Sequence, residues 1–286
     1  MNFVPEFLTR KIPVGNWVDY MVEYLTDHFD DEFRLFSNGL EWLIQESIHI
    51  LGNVPPLLLI AGLGIGVWFL HRNWKLVIGL MLSLLFILNL GYWERTVETV
   101  VLVLFATGIS VVLGVPLGIL AAHHRWLFSI MRPVLDLMQT IPTFVYLIPT
   151  LMLFGLGMVP GLISTVIFAI PAPIRLTYLG ITGVPQNLID AGKAFGASRM
   201  QLLTKVELPY ALPTIMAGLT QCIMLSLSMV VIAALVGADG LGKPVIRALN
   251  SVNIAQGFEA GLAIVIVAIV LDRLLKQPET GAAGSK

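Results

Sequence analysis

The stretch GADGLGK, residues 237–243, has the spacing of a phosphate-binding loop: Gly, four residues, Gly-Lys. Such a loop cradles phosphates with backbone N–H groups and reaches magnesium through the Ser or Thr that follows. Here the next residue is Pro244, which has neither the hydroxyl nor the N–H, and no strand is expected before it. The glycines read instead as a tight turn entering a short helix. Other candidate chemistry fails in similar ways. His123 and His124 are adjacent and share no helix face, and His28, His49 and His71 are scattered. Cys222 is the only cysteine and lies in an apolar run, so it offers neither a disulfide nor a thiolate cluster. No Ser-His-Asp set and no carboxylate pair can be picked out. The chain is expected to carry no catalytic residue, cofactor or metal of its own.

One polar segment interrupts the apolar runs: DAGKAFGASRMQLLTKVELP, residues 190–209, with three basic and two acidic side chains. Pro185 can start a helix, where its missing N–H costs nothing. Leu188, Ala191 and Phe195 then recur at three- and four-residue spacings, which makes one apolar face. Gly196 turns the chain. RMQLLTKVEL predicts a second short helix with Leu202, Leu203 and Val206 as its face, ended by Pro209 where the next apolar run begins. Such a bent pair either caps a bundle or docks another protein. Small residues at Ala191, Gly192, Ala194, Gly196 and Ala197 would let a partner approach the backbone closely. A helix-turn-helix trapped between membrane spans is badly placed to enter a DNA groove. Physics alone leaves capping and docking open.

The elements around this segment are those of a membrane protein. Of 286 residues, 57% are hydrophobic and 12% charged, with a mean hydropathy of +0.86; soluble proteins carry about 25% charged residues. A net charge of −1 argues against nucleic acid as a partner. A helix needs about twenty apolar residues to span the hydrocarbon core. Seven candidate spans meet or approach that length, at about 51–70, 75–91, 97–121, 134–156, 160–179, 210–236 and 258–275. Alternate loops hold Arg72 and Lys75, Arg125 and Arg132, then Lys193, Arg199 and Lys205, then Arg273 and Lys276. The opposite set holds Arg95, Lys243 and Arg247, with Arg10, Lys11 and Arg34 in the N-terminal tail. The positive-inside bias assigns the first set to the cytoplasm. The N-terminus is then outside, the C-terminal tail 276–286 is cytoplasmic, and the segment 185–209 faces the cytoplasm. The first fifty residues hold nine acidic and three basic side chains and no long apolar run. Leu35, Phe36, Leu40, Trp42, Leu43 and Ile44 fall at roughly helical spacings there, which predicts a surface-lying amphipathic helix; a loosely folded polar tail is the alternative.

Prolines crowd the middle of the chain. Pro142 and Pro149 interrupt QTIPTFVYLIPTLMLFGLG, and Pro171, Pro173 and Arg175 fall in the following span, which should bend or end in a sheltered place. Each interior proline removes a backbone hydrogen bond, and in lipid the freed carbonyl must be covered by a neighbour or face a wet cavity. A kinked helix lining a translocation path, with Pro142, Phe144, Tyr146 and Pro149 as candidate path residues, is one reading; structural kinks alone are the other. Asp136 is expected to cap its helix or pair with Arg132. The spans supply no mid-membrane set of ionisable residues of the kind a proton- or sodium-driven carrier needs.

The polar segment resembles the coupling loop of binding-protein-dependent ABC importer permeases, which reads Glu-Ala-Ala, three residues, Gly, nine residues, Ile-x-Leu-Pro. The matching positions are Asp190, Ala191, Gly192, Gly196, Val206, Leu208 and Pro209, with Asp for Glu, Gly for Ala and Val for Ile at unchanged spacing. Residues 139–155, GADGLGKPV, NSVNIAQGFEAGLAIVIVAIVLDR and the acidic outer tail resemble the glycine betaine/proline betaine/choline group of that family. The resemblance covers about residues 40–275. It implies an all-α polytopic membrane protein of about seven transmembrane helices: a tail over 1–50, two additional helices over 51–91, and a five-helix permease core over 97–275 that includes the cytoplasmic coupling loop. It also implies a bacterial inner-membrane location, a second copy of the permease and an extracytoplasmic substrate-binding protein. A cytoplasmic ATPase dimer would hold the ATP and Mg. The expected cargo is a quaternary ammonium solute; importers of another small solute such as an amino acid, and a secondary carrier, are the rivals.

Overall fold

The computed structural model describes residues 13–275. Arg10, Lys11, Lys276 and the expected tail 276–286 lie outside the described residues. The chain begins with a 39-residue helix, α1 (Val14–Gly52), which departs from helical geometry at Phe29 (φ −131°, ψ 21°). It is amphipathic: Ile44 is buried against Leu102, Met158 and Leu162, while Trp17, Tyr20 and Leu35 are exposed. The chain then turns by 94° into α2 (Pro56–His71), with Pro56 at the start of the new helix. The Ser37 hydroxyl of α1 donates to the Phe154 carbonyl at 3.4 Å, and the Phe33 ring meets Phe154 edge-on at 5.3 Å. The amphipathic helix expected before the first span is present, and it extends well upstream of the residues that signalled it.

The apolar runs fold as helices because lipid leaves backbone groups no other partner. After α2, Arg72 adopts a left-handed conformation and Asn73 caps α3 (Trp74–Asn89), its side chain accepting from the Lys75 and Leu76 N–H groups. Then follow α4 (Trp93–His123), α5 (Arg125–Thr140), α6 (Thr143–Phe154), α7 (Met158–Ala169) and α8 (Pro171–Thr182). The polar segment forms α9 (Gln186–Ala194) and α10 (Arg199–Leu202), continued by a π-helical turn over Leu203–Glu207 into α11 (Leu208–Ala233). A 3-10 turn (Ala234–Val236), α12 (Gly242–Asn250) and α13 (Ile254–Leu275) complete the order. No strand occurs among the described residues. Four continuous runs, Trp93–His123, Met158–Thr182, Arg199–Val236 and Ile254–Leu274, are long and apolar enough to cross a bilayer among the described residues; counting each of two bent pairs as one span gives six, and α3 is a shorter apolar helix of 16 residues. The hydropathy windows predict seven, so the count agrees only roughly; the second expected span, 75–91, is the one that falls short.

The expected span 134–156 is not one helix. It breaks between α5 and α6 with a 96° bend, because Ile141 is extended (ψ 131°) ahead of Pro142. The apolar side chains Trp126, Ile130, Val134 and Leu137 line one exposed side of α5. Its other side is tied to α8 by the Phe128–Tyr178 ring stack (3.5 Å) and by Arg175 donating to Asp136 (2.6 Å). Asp136 therefore pairs across to α8 rather than with Arg132. Conversely, α7 and α8 run on as a single span through Pro171 and Pro173, both buried. This span sits at the centre, packed on α4 and α11. A Cβ on Gly118 of α4 would lie 2.7 Å from the Ile174 carbonyl, so small residues set the close crossing. The pair α2–α3 attaches through Ile60, Val67, Leu84 and Ile87, which join Val103 and Val267 in one buried cluster.

The alternation of helices sorts the charges. Arg175 with Asp136, His123 with Glu207, and Lys75 beside Arg273 fall at one end, called here the basic end. Arg95, Glu98, Asp239 and Lys243 fall together at the opposite end.

Candidate coupling segment and helix junctions

The segment 185–209 is built outward from the basic end of α8. Pro185 precedes α9 in an extended conformation (ψ 134°), and the helix holds no buried residue. The Asp190 carboxylate accepts from the Gln186 amide at 2.9 Å, one turn back, and is otherwise exposed. Ala191 is exposed. Gly192 faces the following helix so closely that a Cβ would meet the Leu202 side chain at 2.9 Å, with Val206 next at 3.8 Å. Gly192 is therefore a contact within the pair rather than an open surface for a partner. The turn falls at Gly196, whose φ of +77° is the left-handed region where glycine carries no penalty. Ser198 then starts α10 with a capping box: its hydroxyl accepts from the Gln201 N–H, and the Gln201 side chain accepts from the Ser198 N–H.

The apolar face predicted on α9 is not covered. Leu188 is exposed, and Phe195 at the helix end is 93% exposed. Met200 of α10 adds to the same uncovered surface, while Leu202 turns inward and is buried.

The second expected helix does not end at Pro209. A single run extends over Arg199–Val236. An interior proline ring crowds the carbonyl four residues earlier, here Lys205. The π-helical turn over Leu203–Glu207 widens the backbone at that point, so the helix passes Pro209 without stopping. Leu208 and Pro209 are thus the first residues of α11, and any displacement of α10 is transmitted directly to a span.

The π turn is held from the side by a contact the sequence reading missed. Glu207 is buried, and His123 Nε2 of α4 stands 3.1 Å from its carboxylate. The other ring nitrogen, Nδ1, lies 2.9 Å from the Ile119 carbonyl. Nothing in the sequence links positions 123 and 207; the signal was a single carboxylate inside an apolar helix face, which asks for a partner.

The candidate path residues occupy a different place. Pro142 sits at the α5–α6 bend and Pro149 within α6. Phe144 is 56% exposed, whereas the Tyr146 hydroxyl donates to the Met138 carbonyl at 2.9 Å and so braces the bend. Below it, the Thr150 and Ser164 hydroxyls bond at 2.7 Å, joining α6 to α7 in the interior. These residues lie together at the start and middle of one short helix, separate in sequence from the segment 185–209.

The turn at 237–243 enters α12 as the sequence predicted. Asp239 accepts from Arg95 at 2.8 Å and also meets Lys243, and the buried Leu241 N–H donates to the Thr99 hydroxyl at 2.8 Å.

A multi-helix bundle whose spans are joined by an outward-facing polar helix pair is the arrangement of a membrane transport permease. Residues 114–276 match the family described as binding-protein-dependent transport system inner membrane component. The chain belongs to that family and is a multi-pass inner-membrane component of a transport system. It is 46% identical over 266 residues to the glycine betaine/carnitine transport permease protein GbuB of Listeria monocytogenes, covering 92% of this chain and 94% of that one. It is 45% identical to the glycine betaine transport system permease protein OpuAB of Bacillus subtilis (92% and 93% covered). It is 41% identical to the glycine betaine/proline betaine transport system permease protein ProW of Escherichia coli (96% and 77%). Among solved structures, the inward-facing MetNI methionine ABC transporter shares the fold at a TM-score of 0.54 and 24% identity, over 62% of this chain and 91% of that one.

Proposed function

We propose that this permease carries a quaternary ammonium solute, such as glycine betaine, proline betaine or choline, in an ATP-driven importer. A pair of cytoplasmic ATPase subunits would engage the segment 185–209 and supply the ATP and Mg. A binding protein would deliver cargo at the opposite end, and two copies of the permease would enclose the path. The segment 185–209 and the C-terminus would face the cytoplasm, and the N-terminus the outside. The cargo reading is supported by the chain's relatives, glycine betaine and proline betaine permeases that match nearly the whole chain. Closure of the ATPase pair would push α9 and α10, and the unbroken run through the π turn would tilt α11, switching the permease between two states.

The observation that carries the docking reading is Phe195. A cap over the bundle would bury its apolar face; this one leaves a phenyl ring 93% exposed at the tip. Phe195→Asp separates the readings, because a side chain that touches so little of its own chain contributes little to the fold. Docking predicts that the variant inserts and melts like the parent, yet loses co-purification with the ATPase and ATP-driven uptake of labelled glycine betaine by at least tenfold, the usual scale for a buried aromatic anchor. Capping predicts normal uptake, and that result would sink the assignment. Uptake driven equally well without ATP would overturn the importer reading itself.

A further inference from the structure

Two apolar helices from opposite ends of the chain bring two cations to one groove. Lys75 opens α3 and Arg273 lies in the last turn of α13, both at the basic end. The groove between them has a volume of about 420 Å³ and is lined by Lys75, Leu76, Gly79, Ser83, Ile269 and Arg273. Its floor is apolar. The Ser83 hydroxyl is used within its own helix, donating to the Gly79 carbonyl at 2.7 Å. At Gly79 a Cβ would meet nothing within 4 Å, so the floor is open. Among the described residues, no carboxylate stands within ion-pair distance of either cation; the ion pairs present use Arg34, Arg95, His123, Arg175 and Lys243. Trp74, 63% exposed beside Lys75, sets the depth, since indole rings favour the membrane–water interface.

Two unpaired cations at the interface, above an apolar floor that runs toward the bilayer centre, match an amphiphile with an anionic head. A soluble phosphate would leave the floor uncovered, and a zwitterionic lipid would bring a cation of its own beside Lys75 and Arg273. Basic pockets between transmembrane helices bind anionic lipid head groups on this basis. We propose that the α3–α13 groove holds an anionic phospholipid, its phosphate between Lys75 and Arg273 and one acyl chain along Gly79 and Ile269. The lipid would pin the α2–α3 pair to the last span. The assignment rests only on the membrane placement of α3 and α13, and stands or falls separately from the cargo.

The test is native mass spectrometry of the full-length permease, extracted from vesicles of equal phosphatidylglycerol and phosphatidylcholine. The parent should retain phosphatidylglycerol preferentially. The double variant Lys75→Gln, Arg273→Gln should lower that retention on the order of tenfold and leave phosphatidylcholine unchanged. Swapping the charges (Lys75→Arg, Arg273→Lys) should restore it, which excludes misfolding as the cause. Gly79→Leu fills the floor and should lower retention of the lipid with both cations intact. Unchanged phosphatidylglycerol on the double variant would overturn the proposal. So would competition by glycerol 3-phosphate, which would indicate a soluble anion site, or loss of a second permease copy in place of lipid.

Discussion

The loop 237–243 and the segment 185–209 both reverse the chain through a glycine at positive φ, and their surroundings are opposite. In the first, Gly240 (φ +122°) packs on α4, Asp239 is shared by Arg95 and Lys243, and Leu241 is fully buried with its N–H on Thr99. The turn's carboxylate and its buried Leu241 N–H both find partners within the chain. In the second, Gly196 (φ +77°) has open space around it, α9 buries nothing, and its apolar side chains face outward. The first turn is a finished joint that fixes α11 and α12 to α4. The second is well formed locally by its capping box and left without a cover, as the proposed docking role requires. Burial and polar pairing therefore separate the two turns more sharply than turn geometry does.

The largest effect that probes this contrast is expected at the finished joint. A Cβ at residue 240 would lie 2.6 Å from the Thr99 hydroxyl oxygen, on a backbone conformation reserved for glycine. Gly240→Ala combines that strain with loss of the buried Leu241–Thr99 bond, about 3–5 kcal/mol together. Thermal unfolding of the detergent-purified protein reads this as a large drop in midpoint; a small drop would mean the loop is looser than its hydrogen bonds imply. A smaller loss follows from His123→Ala. It removes the imidazole facing Glu207, whose side chain is 11% exposed, and leaves a buried carboxyl group without its partner at about 1–3 kcal/mol. Because the contact clamps the π turn, the loss should appear first as faster amide exchange over residues 203–207. Exchange spread evenly over the bundle would show that the pair supports the whole fold instead.

Prolines mark where the sequence could and could not be read. Periodicity, length and loop charge were enough for an all-helical bundle of roughly the right number of spans, an amphipathic first helix, and the placement of 185–209 on the basic end. Proline rules alone were not enough for the bends. The segment around Pro142 reads as one span and breaks by 96°, whereas Pro171, Pro173 and Pro209 read as a bend or an end and are passed without one. The difference lies in the residue before each ring. Ile141 is extended (ψ 131°), while Ile170 (ψ −29°) and Leu208 (ψ −47°) stay helical. Burial against α4 and α11 holds the helix through Pro171, and the π turn makes room before Pro209. These are tertiary and backbone-register effects with no signature in composition. The helix pair and its turn at Gly196 were legible because their spacing is local. The His123–Glu207 contact was not, because it depends on how α4 crosses α11.

The smallest effect on stability is expected at Gly196, and there the two turns can be told apart most cleanly. With nothing within 4 Å of a Cβ, Gly196→Ala meets no neighbour and costs only the left-handed backbone penalty, roughly 1 kcal/mol. For a bundle of this size that is a midpoint shift of a few degrees. If α9 is a docking element, however, its angle to α10 matters to the partner in a way it does not matter to the fold. A chain that relieves the strain by moving φ out of the left-handed region would swing Phe195 away from its seat. Uptake and ATPase coupling should therefore fall much further than stability. Asn, which tolerates the left-handed region better than other non-glycine residues, should recover most of the transport at position 196 while still filling the space that glycine leaves open. Equal losses for Ala and Asn would point to the added bulk, and hence to a partner surface pressed against Gly196 itself. Recovery by Asn alone would place the requirement in the backbone angle that aims Phe195.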